Sequence, residues 1–330
     1  MQLEGSELIQ PGSRFYPPRR KDTGGNVNVT PISKSPLGST GSGPRSKIRI
    51  NNLQEKKARH EPISALALGD FTSARLADEA GIDFVLVGDS LGSYLLGYEN
   101  TLPVTLEEML HHTRAVRRGV RYALLVADMP FGTYQVSLQE GVKNASRFLK
   151  EAGAEAVKIE GGEKRAELVR HLLDAEIPVM GHIGLTPQSV HRMSGYKVQG
   201  KTLPAVEDLM RDAIALERAG AFAIVLEGVP REVAAMITAE VSVPTIGIGA
   251  GPDCAGQILV FHDLIGLTDE PAKFVRQYAN VAAVMSEAVH DFKRDLDARA
   301  FPSDAESYHL PKDAQEALGL VLDRKKAMAR

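Results

Sequence analysis

The amino-acid sequence predicts an α/β fold, an eight-stranded parallel β/α (TIM) barrel behind a disordered N-terminal tail. Three observations predict it. Eight short, nearly continuous apolar runs recur between residues 63 and 261, as expected of strands buried on both faces. Amphipathic stretches separate most of them. Eight such units in about 250 residues match the usual size of a closed barrel. An open doubly wound sheet is the alternative, but no Gly-x-Gly-x-x-Gly opens a helix after the first strand.

Residues 1–46 are rich in Gly, Ser, Pro and Asn and poor in large apolar side chains. They cannot bury enough surface to offset chain entropy, so they are expected to be disordered. No apolar core of a secretory signal is present. Arg14, Arg19 and Arg20 suit an organellar transit peptide, whereas Glu4, Glu7 and Asp22 do not. Residues 47–311 form the expected barrel domain and 312–330 a C-terminal extension. Ile48–His60 reads as a charged helix leading into the first strand. The strands are expected at Ile63–Leu68, Phe84–Val87, Ala123–Ala127, Ala156–Ile159, Val179–Ile183, Ala221–Leu226, Thr245–Ile248 and Ile258–Phe261. Helices are expected at Ser73–Ala80, Leu106–Arg118, Leu138–Ala152, Lys164–Ala175, Ala205–Ala219 and Glu232–Glu240. Gly81, Gly153 and Gly220 stand just past three of these, where a left-handed cap favours glycine. Phe274–Leu296 reads as a long C-terminal helix.

The chain has 330 residues, 39 Lys plus Arg against 42 Asp plus Glu, and a formal charge of −3. No global field points to nucleic acid or to an anionic membrane. The single cysteine, Cys254, excludes a disulfide within the chain and suits a reducing, cytoplasmic setting. No apolar run reaches the ~20 residues that span a bilayer.

In such a barrel, chemistry sits where strands end. Five successive runs end in polar residues: Asp89 and Ser90, Asp128, Lys158 with Glu160, His182, and Glu227. Lys158 and Glu160 are two apart, so both face the same side of their strand. Singly, each has an ordinary explanation as a cap, turn former or hydrogen-bonded core residue. Together, four carboxylates, a lysine and a histidine at one rim suit a Mg2+-type cation and an anionic substrate.

The segments Gly88-Asp89-Ser90-Leu91-Gly92, Thr101-Leu-Pro-Val-Thr-Leu106, Ala127-Asp-Met-Pro-Phe131, Val157-Lys-Ile-Glu-Gly-Gly162, Gly181-His-Ile-Gly-Leu-Thr-Pro-Gln-Ser189, Gly195-Tyr-Lys-Val-Gln-Gly200, Ile246-Gly-Ile-Gly-Ala-Gly251 and His262-Asp263 together resemble the ketopantoate hydroxymethyltransferase family. The resemblance covers about residues 47–311. It implies a barrel of the phosphoenolpyruvate/pyruvate superfamily. The implied reaction is transfer of a hydroxymethyl group from 5,10-methylenetetrahydrofolate to 2-oxoisovalerate, the first step of pantothenate biosynthesis. By resemblance, Asp89 and Asp128 ligate Mg2+, with Glu160 the third carboxylate of the metal site. Asp89, Ser90, Asp128 and Lys158 hold the oxoacid, Glu227 accepts the proton, and His182 supports it. The family also implies a homo-oligomer, a decamer. The first strand departs from the family pattern, reading Ala65-Leu-Ala-Leu-Gly-Asp70-Phe71.

The alternatives are another Mg2+-dependent 2-oxoacid lyase or mutase of the same superfamily, and a catalytically inactive barrel. Cys254 lies in Gly251-Pro-Asp-Cys-Ala-Gly256, unlike the Lys-Cys-Gly-His-type loop of isocitrate-lyase-like enzymes.

Overall fold

The computed structural model describes residues 45–268 and 271–328. The expected disorder of the N-terminal segment concerns residues that, up to 44, lie outside the described residues. Attachment to the barrel begins at Arg45, two positions before the expected domain start. Its guanidinium lies 4.8 Å above the Tyr122 ring and donates to the Asp78 carbonyl. Lys47 donates to the Ala123 carbonyl and pairs with Glu155.

The chain then alternates as α1 (Ile50–Ala58), β1 (Ile63–Ala67), α2 (Phe71–Ala80), β2 (Phe84–Val87), α3 (Leu91–Tyr94), α4 (Leu106–Gly119), β3 (Leu124–Asp128), α5 (Leu138–Ala152), β4 (Ala156–Glu160), α6 (Ala166–Asp174), β5 (Val179–Gly184), α7 (Leu203–Ala219), β6 (Ala223–Glu227), α8 (Arg231–Glu240), β7 (Thr245–Ile248), β8 (Gly256–Val260), α9 (Phe261–Leu264), α10 (Val281–Asp297) and α11 (Lys312–Met328). The strands close in sequence order, and every neighbouring pair, including β1 with β8, is parallel. The open-sheet alternative is thereby excluded.

Local chemistry sets the helix ends. Asp70 accepts from the Thr72 and Ser73 amides and starts α2. Thr105 and Glu108 form a reciprocal capping box at α4. Gly81, Gly153 and Gly220 adopt the expected left-handed conformation after α2, α5 and α7.

Two apolar cores result. Outward strand residues such as Val85, Leu125, Val157, Ile183 and Leu226 pack against the helices. Inward residues, among them Phe84, Leu124, Val126, Met180, Val225 and Ile258, fill the barrel with Leu53 of α1. The inward alternation runs Leu124, Val126, Asp128 on β3 and Ala156, Lys158, Glu160 on β4, so it turns polar at the end of β3 and from the middle of β4.

One helix starts later than its pattern predicts. α10 begins at Val281 rather than at Phe274, because Asn280 caps it through the Ala283 amide. The Tyr278 and Val281 amides instead donate to the Leu264 and Ile265 carbonyls after α9. α10 buries none of its residues, and the extension beyond Pro311 carries α11. No helix among the described residues is long and apolar enough to cross a membrane.

Candidate active site

The strand register brings the expected residues together. Asp128 stands opposite Lys158, Glu160 opposite His182, and Gly184 opposite Glu227. Asp89 and Ser90 follow β2. All of Asp89, Ser90, Asp128, Lys158, Glu160, His182 and Glu227 line one pit of about 100 Å³ at the C-terminal mouth. Its other wall is apolar and includes Val225, Ile248, Ile258 and Val260.

The polar wall is a connected network. Asp128 Oδ2 accepts the Asp89 amide at 3.1 Å, and its Oδ1 lies 3.0 Å from Lys158 Nζ. Lys158 Nζ also stands 3.1 Å from His182 Nδ1. His182 Nε2 is 3.2 Å from Glu227 Oε2, and Nδ1 is 3.5 Å from Glu160 Oε1. Burial makes these charges interact strongly. Desolvation, then the charges of Asp128 and Glu160, hold the Asp89 carboxyl well above the usual carboxylate range. Desolvation raises Asp128 too, opposed by Lys158. Burial favours a neutral Lys158, but Asp128, Glu160 and Asp89 outweigh it and keep the ammonium charged. Burial and Lys158 also pull His182 down, yet Glu160 and Glu227 lift it to about 9. Its Nε2 faces the Glu227 carboxylate but, like Asp128 Oδ1, lacks a well-aligned hydrogen bond.

Two residues that the sequence did not single out tie this wall together. Gln188 donates to Asp89 Oδ2 at 2.8 Å and to the Met129 carbonyl, and its own amide donates to Glu160 Oε2. Tyr134 donates to Gln188 Oε1 and accepts the Glu160 amide. Gln188 lies inside the quoted Thr-Pro-Gln-Ser motif, a usable signal, whereas nothing near Tyr134 marked it.

The donor set fits a divalent cation in charge. Asp89, Asp128, Glu160 and Glu227 bring four carboxyl groups against one ammonium and one imidazole, and a cation there would favour the ionised form of Asp89 that burial and its acidic neighbours disfavour. Asp128 Oδ1 and Glu160 Oε1 are buried without a well-aligned hydrogen bond. In the arrangement seen, the carboxylates turn onto Lys158, Gln188 and the Asp89 amide. No three His, Cys, Asp or Glu side chains among the described residues form a preformed ligand set.

The sequence profile described as ketopantoate hydroxymethyltransferase matches residues 47–304. The chain belongs to the ketopantoate hydroxymethyltransferase family. It is 65% identical over 287 residues to the 3-methyl-2-oxobutanoate hydroxymethyltransferase of Koribacter versatilis (strain Ellin345), covering 87% of this chain and 97% of that protein. It is 54% identical over 252 residues to the enzyme of the same name from Gloeobacter violaceus (strain ATCC 29082 / PCC 7421), covering 76% and 97%. Among solved structures, 2,3-dimethylmalate lyase, a PEP mutase/isocitrate lyase superfamily member, aligns with a TM-score of 0.54 at 19% identity, covering 87% of this chain and 100% of that one. At that identity the likeness shows the shared barrel alone. The ketopantoate hydroxymethyltransferase family thus places this chain on a fold shared with lyases, while its sequence follows the transferases.

Proposed function

We propose that this barrel transfers a hydroxymethyl group from 5,10-methylenetetrahydrofolate to 3-methyl-2-oxobutanoate, giving ketopantoate for pantothenate biosynthesis. The observation that carries the reading is the two-sided pit. One wall offers Lys158, His182 and carboxylates, the other mostly branched apolar side chains, and about 100 Å³ between them suits a small branched oxoacid. The name of the relatives at up to 65% identity supports the same substrate.

Lys158 and Ser90 hold the substrate carboxylate. Asp89 and Asp128 would ligate Mg2+ directly, with Glu160 reaching it through water. Bound there, the ion supplies Lewis acidity toward the oxoacid. Val225, Ile248, Ile258 and Val260 hold the branched end, which directs C3 toward Glu227. Glu227 takes the C3 proton, and the His182 imidazole N–H keeps its carboxylate oriented. The electron pair left on C3 attacks the methylene carbon as one of its two C–N bonds breaks; water then displaces the second nitrogen and supplies the hydroxyl, and the protons from C3 and from water go to the two nitrogens of the released tetrahydrofolate.

We place the enzyme in the cytoplasm as a homo-oligomer, a decamer by family resemblance, without nucleic-acid or membrane partners. Support for self-association comes from α10, where Val284, Met285, Val289 and Phe292 are each more than half exposed. The decisive experiment incubates the purified protein with both substrates and Mg2+ and measures ketopantoate. Cleavage of a 2-oxoacid or malate derivative with no ketopantoate would instead make it a lyase.

A further inference from the structure

The sequence marks His262-Asp263, yet the chemistry above uses neither residue. Both line a cavity of about 420 Å³ between the start of α3 and the end of β8. This cavity shares Ser90 and Val260 with the catalytic pit, so the two are contiguous. A second rim cavity, of about 380 Å³ beside Lys164 and Arg192, shares no wall residue with the pit. It borders Ile183, which packs outward against the helices.

The pit itself has room for the oxoacid only. A co-substrate that donates carbon to C3 must therefore reach it from an adjoining space. The annex offers three features to a flat heterocycle. First, the Tyr94 and His262 rings lie with centroids 4.6 Å apart, tilted by 34°, and give the annex an aromatic side. Second, Asp263 presents a carboxylate with no cationic partner among the described residues. Its Oδ1 accepts the Thr268 hydroxyl at 2.6 Å, and its Oδ2 takes no hydrogen bond among them. Third, Leu267 adds an apolar surface beside it.

We infer that the annex seats the pterin ring of the folate co-substrate, with the Asp263 carboxylate accepting from the ring's amino and amide N–H edge. The inference rests on the hydroxymethyl-transfer reading and deepens it. A carboxylate matches that edge because the edge offers two parallel donors, and charge-assisted pairs of this kind are the stronger ones. The shared Ser90–Val260 border then brings the methylene carbon to the mouth of the pit, beside the apolar wall that positions C3.

The test compares wild type with Asp263→Asn in the full-length protein. Asparagine keeps an acceptor for Thr268 but turns an N–H toward the ring's donors. The KM for methylenetetrahydrofolate and the Kd of tetrahydrofolate itself should rise about tenfold or more. The KM for 3-methyl-2-oxobutanoate and the folate-free exchange of its C3 hydrogen with deuterated water should stay within about twofold, as expected where only folate contacts are lost. Leu267→Trp, which fills the annex, should give the same split by a purely steric route. Unchanged folate constants in both variants overturn the inference. Loss of folate binding together with exchange in both variants also overturns it, since the annex would then be part of the oxoacid site. Absence of exchange in the wild type would strike the transferase reading itself, a separate outcome.

Discussion

Glu227 differs from its neighbours in exposure: 18% of its side chain reaches the pit, against 3% for His182 and for Glu160. A base must meet its substrate and also be oriented, and Glu227 combines an open carboxylate with an imidazole nitrogen 3.2 Å behind it. Glu227→Gln should therefore slow C3 hydrogen exchange in deuterated water by about 10²–10⁴, even without folate. Wild-type exchange rates in that variant, followed by NMR, would move the base to His182. Asp128 carries a different role, since it pairs with Lys158 and accepts the Asp89 amide. Asp128→Asn should lower turnover at least about a hundredfold and weaken Mg2+ binding in calorimetry while the barrel stays folded. Near-normal Mg2+ affinity would remove Asp128 from the ligand set. These residues were legible in sequence because each ends an apolar run. Tyr134 was not, because its role comes from a bond to Gln188, 54 positions away.

At the scale of elements, the first strand departs from the family pattern just before Asp70, and the structure gives Asp70 a capping role. Its carboxylate accepts the Thr72 and Ser73 amides and the Ser73 hydroxyl. Asp70→Ala should cost about 1 kcal/mol of stability and leave the KM for the oxoacid unchanged. Urea denaturation beside steady-state kinetics would separate the two roles. The tip of β4 meets α7 under tighter constraint. A Cβ at Gly162 would fall 1.9 Å from Asp212 Cγ, and Asp212 also accepts the Glu163 amide. Gly162→Ala should destabilise the protein by about 1–3 kcal/mol through overpacking. The loss should shrink in an Asp212→Gly background, which also removes the Asp212 Cβ that would lie 2.2 Å away; an equal loss there would point to backbone strain instead. The apolar periods located the strands and most helices to within a few residues. The late start of α10 escaped them because Asn280 and the carbonyls after α9 decide it, and neither enters a hydrophobic pattern.

The barrel gathers the polar residues of the pit at one mouth, while α10, among the described residues, carries an exposed apolar face. Val284, Met285, Val289, Phe292 and Leu296 recur along α10 and are 43–66% exposed. Exposed apolar stripes of this kind suit contact with another protein surface. The double variant Val289→Asp and Phe292→Asp should lower the sedimentation coefficient toward that of the monomer. A single protomer contains every residue of the pit, so folate-free exchange should survive dissociation. An unchanged oligomer would show that copies associate through another face.

The amino-acid sequence alone determined the barrel class, the strand order of the chemistry and the family. Buried parallel strands demand unbroken apolar runs, and a polar residue closing such a run is visible without coordinates. Tertiary structure decided what those residues do to one another. The pull of Glu160 and Glu227 on His182, the bracing of Asp89 and Glu160 by Gln188, and the Asp263 annex beside the pit all join residues far apart in the chain. Electrostatic coupling depends on distance and burial. Both are set only when the eight strands close and the ends of β2 to β6 converge on one mouth.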